Sequence, residues 1–295
     1  KTKPTQASVK ELQGMGIQPD VIVCRSEQPL DQGLKDKIAL FCNVPSSHVL
    51  QNLDVEYLYE APLAMERENL AKVACECLQL DCPEPELKDW EDMVDALRHP
   101  DKEVTVALVG KYTQLHDAYI SVVEALKHGG IASHATVNIR WINSEDVTAE
   151  NADSLLSDVD GILVPGGFGD RGIEGKIEAI RYAREHQIPF LGLCLGMQLA
   201  IVEYARHVAG LEDAHSIELN PQTPYPVIAL LPDQNGVEDI GGTLRLGAYP
   251  CILDKTTKAY ELYGSEEIHE RHRHRYEVNN DFRRILVDKG MTLSG

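Results

Sequence analysis

The sequence predicts an α/β fold, a doubly wound and mostly parallel sheet, and two observations carry that prediction. From residue 104 onward, short β-branched runs alternate with stretches whose apolar residues recur at helical spacing, as in successive βα units. Within one such unit, residues 188–198, a cysteine stands between two glycines where the strand gives way to the helix. That G-x-C-x-G pattern is the cysteine form of a nucleophile elbow, a strained turn that lifts one side chain above the carboxyl edge of a sheet.

In chain order, KTKPTQ at 1–6 reads as a polar lead-in to a helix over 8–15, with residues 19–25 as a buried strand. Residues 36–44 begin a second strand-like unit, and a short strand (49–59) and an amphipathic helix (62–78) follow. Between 80 and 102, prolines and acids surround a single helical pattern at 90–98, which marks the boundary between two units. Beyond it, strands are expected at 104–110, 136–142, 160–164 and 189–193, with helices at 117–128, 149–156, 172–185 and 195–206. From 226 the pattern turns antiparallel, over 226–231 and 241–253.

A formal net charge of −19 argues against nonspecific binding of nucleic acid or an anionic membrane. No apolar run is long enough to span a bilayer. Seven cysteines, an odd number, suit a reducing compartment better than a disulfide framework. Cys75, Cys77 and Cys82 lack the second pair that a zinc site needs, so no metal site is expected. Lys1 falls in the middle of a motif, so the chain is expected to be part of a longer protein.

The chemistry centres on Cys194. Gly192 and Gly196 leave room for a tight strand–helix crossing, and the helix start sets N–H groups and the positive dipole end beside the sulfur. Thiolate is therefore expected to be favoured. The loop PGGFGDRG at 165–172 exposes backbone N–H groups, and those of Gly167 and Leu195 are candidates for stabilising an oxyanion. Within RHRHRYEVN at 271–279, the alternation R-H-R-H-R (271–275), read as a strand, puts its arginines on one face and His272 and His274 on the other. Two readings of it stand: an anion site, in which an arginine clamps a carboxylate and Glu218 takes an amino group, or a surface salt-bridge strand. The arginine charges weigh against a metal at the histidines.

VPGGFG at 164–169, GLCLGMQ at 192–198, GGTLRLG at 241–247, RHRHRYEVN at 271–279, KTKPTQ at 1–6 and KIALFCNV at 37–44 together resemble the CTP synthase family over essentially the whole chain. The resemblance implies three parts: the end of a P-loop-like amidoligase domain (1–79), a linker (80–102) and a glutamine amidotransferase domain (103–295) that stops before its C-terminal His/Glu motif. It implies ATP- and Mg2+-dependent amination of UTP to CTP, with ammonia freed from L-glutamine at Cys194 through a glutamyl thioester. GTP would activate, CTP would inhibit, and the enzyme would be a cytoplasmic homo-oligomer passing from dimer to tetramer.

By the same resemblance, glutamine contacts fall on Gly167, Phe168, Leu195, Gly196, Met197, Gln198, Glu218 and Arg275. UTP and CTP contacts fall on Lys1, Thr2, Lys3, Pro4, Thr5, Gln6 and Lys37. A GTP-linked lid falls on Gly242, Thr243, Leu244, Arg245, Leu246 and Gly247. The phosphate-binding loop and magnesium ligands would lie before Lys1. The F-H-P-E-F motif that carries the family's base histidine and its glutamate does not occur between residues 1 and 295. Two alternatives remain: the glutaminase part of a GMP synthase or carbamoyl-phosphate synthetase, against which KTKPTQ and RHRHRYEVN speak, and a non-catalytic nucleotide-binding assembly module.

Overall fold

The computed structural model describes residues 2–230 and 245–295, with the backbone alone at 245 and 246. The chain divides into two compact units, Lys1–Pro100 and Asp101–Gly295.

In the first unit, β1 (Ile22–Ser26) pairs in parallel with β2 (Val49–Leu53). Helices α1 (Lys3–Gly14) and α2 (Gln32–Cys42) pack with them, so that Val9, Ile22, Ile38, Ala39, Cys42 and Val49 form one core. Three expectations fail here. The first helix starts at Lys3 rather than residue 8, because Pro4 sits in the first turn, where a missing N–H costs nothing. Residues 36–44 are mostly helix, not strand: the Asp31 carboxylate caps the Leu34 N–H at 2.8 Å, and Ile38, Ala39 and Cys42 share one buried face. The exposed Leu40 and Phe41 complete an apolar run that imitates a buried strand. The helix expected at 62–78 is split into α3 (Ala61–Arg67) and α4 (Leu70–Leu78) by Asn69, whose φ is +61°. Helix α5 (Lys88–Arg98) closes the unit.

The second unit is built on a four-stranded parallel sheet. Its strands are β3 (Lys102–Gly110), β4 (Ala135–Asn143), β5 (Gly161–Val164) and β6 (Phe190–Gly192), in the order β4-β3-β5-β6. The connecting helices are α6 (Ile120–Ala132), α7 (Ala152–Leu156) and α8 (Ile173–Glu185), and α9 (Leu195–His207) follows β6. Strand residues alternate between two cores. Ala107, Val109, Ile162 and Val164 join Ile177, Ile180, Leu199 and Val202 of α8 and α9. Leu108 and Leu163 instead meet Tyr119 and the α6 residues Val122 and Leu126. Both faces are covered, as a parallel sheet requires.

Beyond α9, β7 (Ala214–Ser216), β8 (Tyr225–Leu230) and a later strand, β11 (Tyr276–Val278), form a second, mixed sheet. Between β8 and β11 lie β9 (Arg245–Ile252), α10 (Lys258–Tyr263) and β10 (Glu267–His274), with β9 and β10 antiparallel. Helix α11 (Asn280–Asp288) returns Leu286 to the main core.

Glu203 on α9 is 1% exposed and is held by the Arg184 guanidinium at 2.8–3.1 Å through both carboxylate oxygens. Removing the arginine leaves a buried charge without its main partner, which costs about 3–5 kcal/mol. Arg184→Met is expected to lower the thermal midpoint of the second unit by several degrees, whereas the exposed Arg25→Met, read by the same calorimetry, should leave it unchanged.

Candidate active site

Cys194 caps α9 with φ +50° and ψ −104°, a conformation that a side chain occupies only when its surroundings enforce it. They do so here. Leu193 N–H donates to Val164 O at 2.9 Å and Gly196 N–H to Leu193 O at 2.9 Å, which ties the turn to β5. A Cβ at Gly192 would lie 2.5 Å from the Gly196 carbonyl carbon, and one at Gly196 would lie 2.0 Å from Val164 O. Neither position accepts another residue without the crossing opening.

The 165–172 loop leaves β5 beside this turn. A Cβ on Gly166 would stand 3.4 Å from Cys194 Cβ, and one on Gly167 would stand 3.8 Å from Leu195 Cδ2. The two backbone groups singled out for an oxyanion, at Gly167 and Leu195, therefore belong to segments in contact. The Phe168 carbonyl accepts a hydrogen bond from Lys111 Nζ, and the Phe168 ring is exposed.

The thiol does not rest in the expected state. Cys194 is open to solvent, yet the surrounding chain strips enough water to raise its pKa above the ordinary thiol value. Loss of hydration is the largest effect; the Leu195 N–H pulls the pKa down, and the Glu218 carboxylate pushes it further up. A proton acceptor is therefore needed before attack.

Glu218, just beyond β7, has its own pKa raised by burial, against the pull of the nearby Arg275 guanidinium. Arg275 falls in the break between β10 and β11, so the strand read over 271–275 forms only as far as His274. Arg271 and Arg273 stay exposed, while Arg275 turns inward with a buried Nε that has no hydrogen-bond partner among the described residues. Gln198 is buried, and its amide donates to Tyr276 O at 3.0 Å, which anchors β11 beside α9. Leu195 and Gly196 are buried, and Met197 is exposed. A cavity of about 280 Å³ opens on Cys194, Met197, Gln198, His272, His274 and Glu277.

In the first unit, Thr2 is buried and receives the Gln6 amide at 3.0 Å, Thr5 and Gln6 are half-buried, and Lys3, Pro4 and Lys37 are exposed. Lys1, Gly242, Thr243 and Leu244 lie outside the described residues, as do the side chains of Arg245 and Leu246. Gly247 lies in β9 with φ +104°.

Sequence reasoning passed over a basic cluster at the glycine loop. Arg171 donates to Lys111 O at 2.5 Å. Lys176, only 2% exposed, has its pKa lowered to about 8, first by burial and then by Lys111 and Arg171, against Glu145. Lys111 had a readable signal, since it directly follows the carboxyl end of a central strand. At pH 7 the buried charge costs stability, and between about 8 and 10.5 the folded lysine has lost a proton that the unfolded one keeps, so stability rises with pH. Lys176→Met is accordingly expected to stabilise the chain at pH 7 by up to about 3 kcal/mol, a gain that shrinks toward pH 10.5 in denaturant titrations.

Residues 114–293 match the family described as Glutamine amidotransferase class-I, which is more than half of the chain. The chain belongs to the class-I glutamine amidotransferase family. Residues 1–80 match the family described as CTP synthase N-terminus. Proteins named CTP synthase from Clostridium acetobutylicum and Clostridium perfringens are each 60% identical over 295 residues, covering 100% of this chain and 55% of the relative. The chain thus spans about half the length of the curated relatives it matches. The glutaminase domain of Trypanosoma brucei CTPS with bound acivicin aligns with a TM-score of 0.61 and 38% identity, over 65% of this chain and 74% of that one. The parallel sheet and its elbow are therefore the amidotransferase fold, as the strand–helix alternation predicts.

Proposed function

We propose that this amidotransferase chain is the glutaminase, with the adjoining end of the synthase part, of an enzyme that aminates UTP to CTP. The observation that carries the reading is Cys194, held at positive φ with the glycine loop against it and Glu218 and Arg275 close by. Glutamine would present its carboxylate to Arg275 and its ammonium to Glu218, placing the side-chain amide at the sulfur. After the thiol proton leaves, sulfur adds to the amide carbon, and the Gly167 and Leu195 N–H groups take the developing oxyanion. Collapse, with that proton passed back to the departing nitrogen, expels ammonia and leaves a glutamyl thioester for water to cleave. The proton acceptor would come from the family's His/Glu motif.

Residues 1–79 would serve the synthase reaction, 80–102 the link between the units and 103–295 the glutaminase. The exposed Lys3 and Lys37, with Lys1, Thr2, Pro4, Thr5 and Gln6 alongside, would meet the triphosphate of UTP, or of CTP as inhibitor, in a dimer-to-tetramer assembly in the cytoplasm. ATP and Mg2+ would supply the activating phosphorylation, but no residue here offers the phosphate loop for them. GTP would act at the 242–247 lid. Among the described residues, no helix is long and apolar enough to cross a membrane.

The test is amination by the full-length protein. With UTP, ATP and Mg2+, either glutamine or ammonium chloride should yield CTP, and GTP should accelerate the glutamine route alone. Glutamine hydrolysis without amination of UTP from either nitrogen source would overturn the reading.

A further inference from the structure

We propose that His272, His274 and Glu277 form a binding site for a divalent transition-metal ion at the edge of the Cys194 cavity. Strand β10 sends His272 and His274 to the same half-buried face, and after the break at Arg275 the start of β11 brings Glu277 back to them. His272 Nδ1 lies 2.7 Å from His274 Nε2, and that same Nε2 lies 3.4 Å from Glu277 Oε1. One ligand atom from each residue falls within 4.8 Å of the others.

Around a tetrahedral zinc ion with bonds of about 2.0–2.1 Å, ligand atoms stand roughly 3.3 Å apart. The histidine–carboxylate spacing already meets that value. The two rings, now close enough to share a proton, need to part by only about half an ångström. Tyr249 packs edge-on against His272 at 5.4 Å, which fixes the ring's plane. His274 and Glu277 side chains are 17% and 30% exposed, so an ion would lose much of its competing water there.

The donor set selects the metal. Two imidazoles and one carboxylate suit Zn2+, Ni2+ or Cu2+, whereas Mg2+ and Ca2+ require mostly oxygen. Three protein ligands leave a fourth position on the cavity shared with Cys194. Of the three arginines that weighed against a metal in the sequence, Arg271 and Arg273 are exposed, away from the histidine face, while Arg275 turns inward in the break and faces the Glu218 carboxylate. Arg283 lines the same cavity, and with Arg275 it is a cation that the ion would have to tolerate.

Equilibrium dialysis of the 295-residue chain against micromolar Zn2+, with metal counted by atomic absorption, tests the site. The double variant His272→Ala/His274→Ala should bind one ion fewer than the wild type, and Glu277→Gln should weaken that ion by at least tenfold. Co2+ should give visible absorption bands that the double variant lacks. Cys194→Ser should keep the ion, since the thiol is not among the ligands. If the double variant melts early, the single variants His272→Gln and His274→Gln, which retain bulk, give the same reading. Equal stoichiometry in wild type and histidine variants would overturn the proposal. So would loss of the ion in Cys194→Ser, or its loss only in Cys75→Ser/Cys77→Ser/Cys82→Ser.

Discussion

Replacing Cys194 with alanine in the full-length protein should abolish glutamine-driven amination, by roughly a thousandfold or more, while synthesis from free ammonia continues. The sulfur is the only atom at the elbow that can form the thioester, so the remaining N–H groups have no covalent intermediate to stabilise. The variant should still fold. Alanine inherits the positive φ at Cys194 and is smaller than cysteine, and the hydrogen bonds around the turn are made by the backbone of Leu193, Gly196 and Gln198. Parallel assays with glutamine and ammonium chloride, on one preparation with its melting curve, read this directly. Loss of both activities with an unchanged melting curve would sink the division of labour.

Arg275→Ala is the second large effect. Its inward-turned guanidinium keeps a buried Nε with no partner among the described residues, and Glu218 nearby keeps its carboxyl pKa raised by burial. On the proposed reading, free glutamine would bring a carboxylate to the arginine and an ammonium to the glutamate. Truncating one member of such a desolvated pair costs about 2–5 kcal/mol, roughly thirtyfold to several thousandfold in the use of glutamine. Because these groups sit away from the scissile amide, much of the loss should appear as a raised KM. Ammonia-dependent synthesis should stay near normal. If Arg275 only braces the β10–β11 break, the variant will instead melt early and lose both activities together.

How much of this was legible depends on whether a local pattern or a distant neighbour sets the outcome. The elbow was readable because Gly192, Cys194 and Gly196 act on one another within a single turn. The parallel sheet was readable because each βα unit repeats the same periodicity. Helix α2 was not, since its exposed Leu40 and Phe41 hide the helical stripe inside a continuous apolar run. Alternation placed His272 and His274 correctly on one face, but it could not foresee the break that turns Arg275 inward. The resting state of Cys194 escaped for another reason: a thiol pKa depends on how much water the folded chain removes and on Glu218, which is distant in sequence. Lys176 escaped in the same way, as an ordinary helix lysine whose burial only the packed sheet creates.

On the proposed function, the strained turn at Cys194 presents the glutaminase nucleophile. The most direct measurement of that role is a peptide map of the full-length protein after treatment with a chloroketone analogue of glutamine, with and without competing glutamine. One adduct per chain is expected, on Cys194, suppressed by glutamine and unaffected by UTP or ATP. Adducts spread over the seven cysteines, or a Cys194 adduct that glutamine does not suppress, would contradict that role.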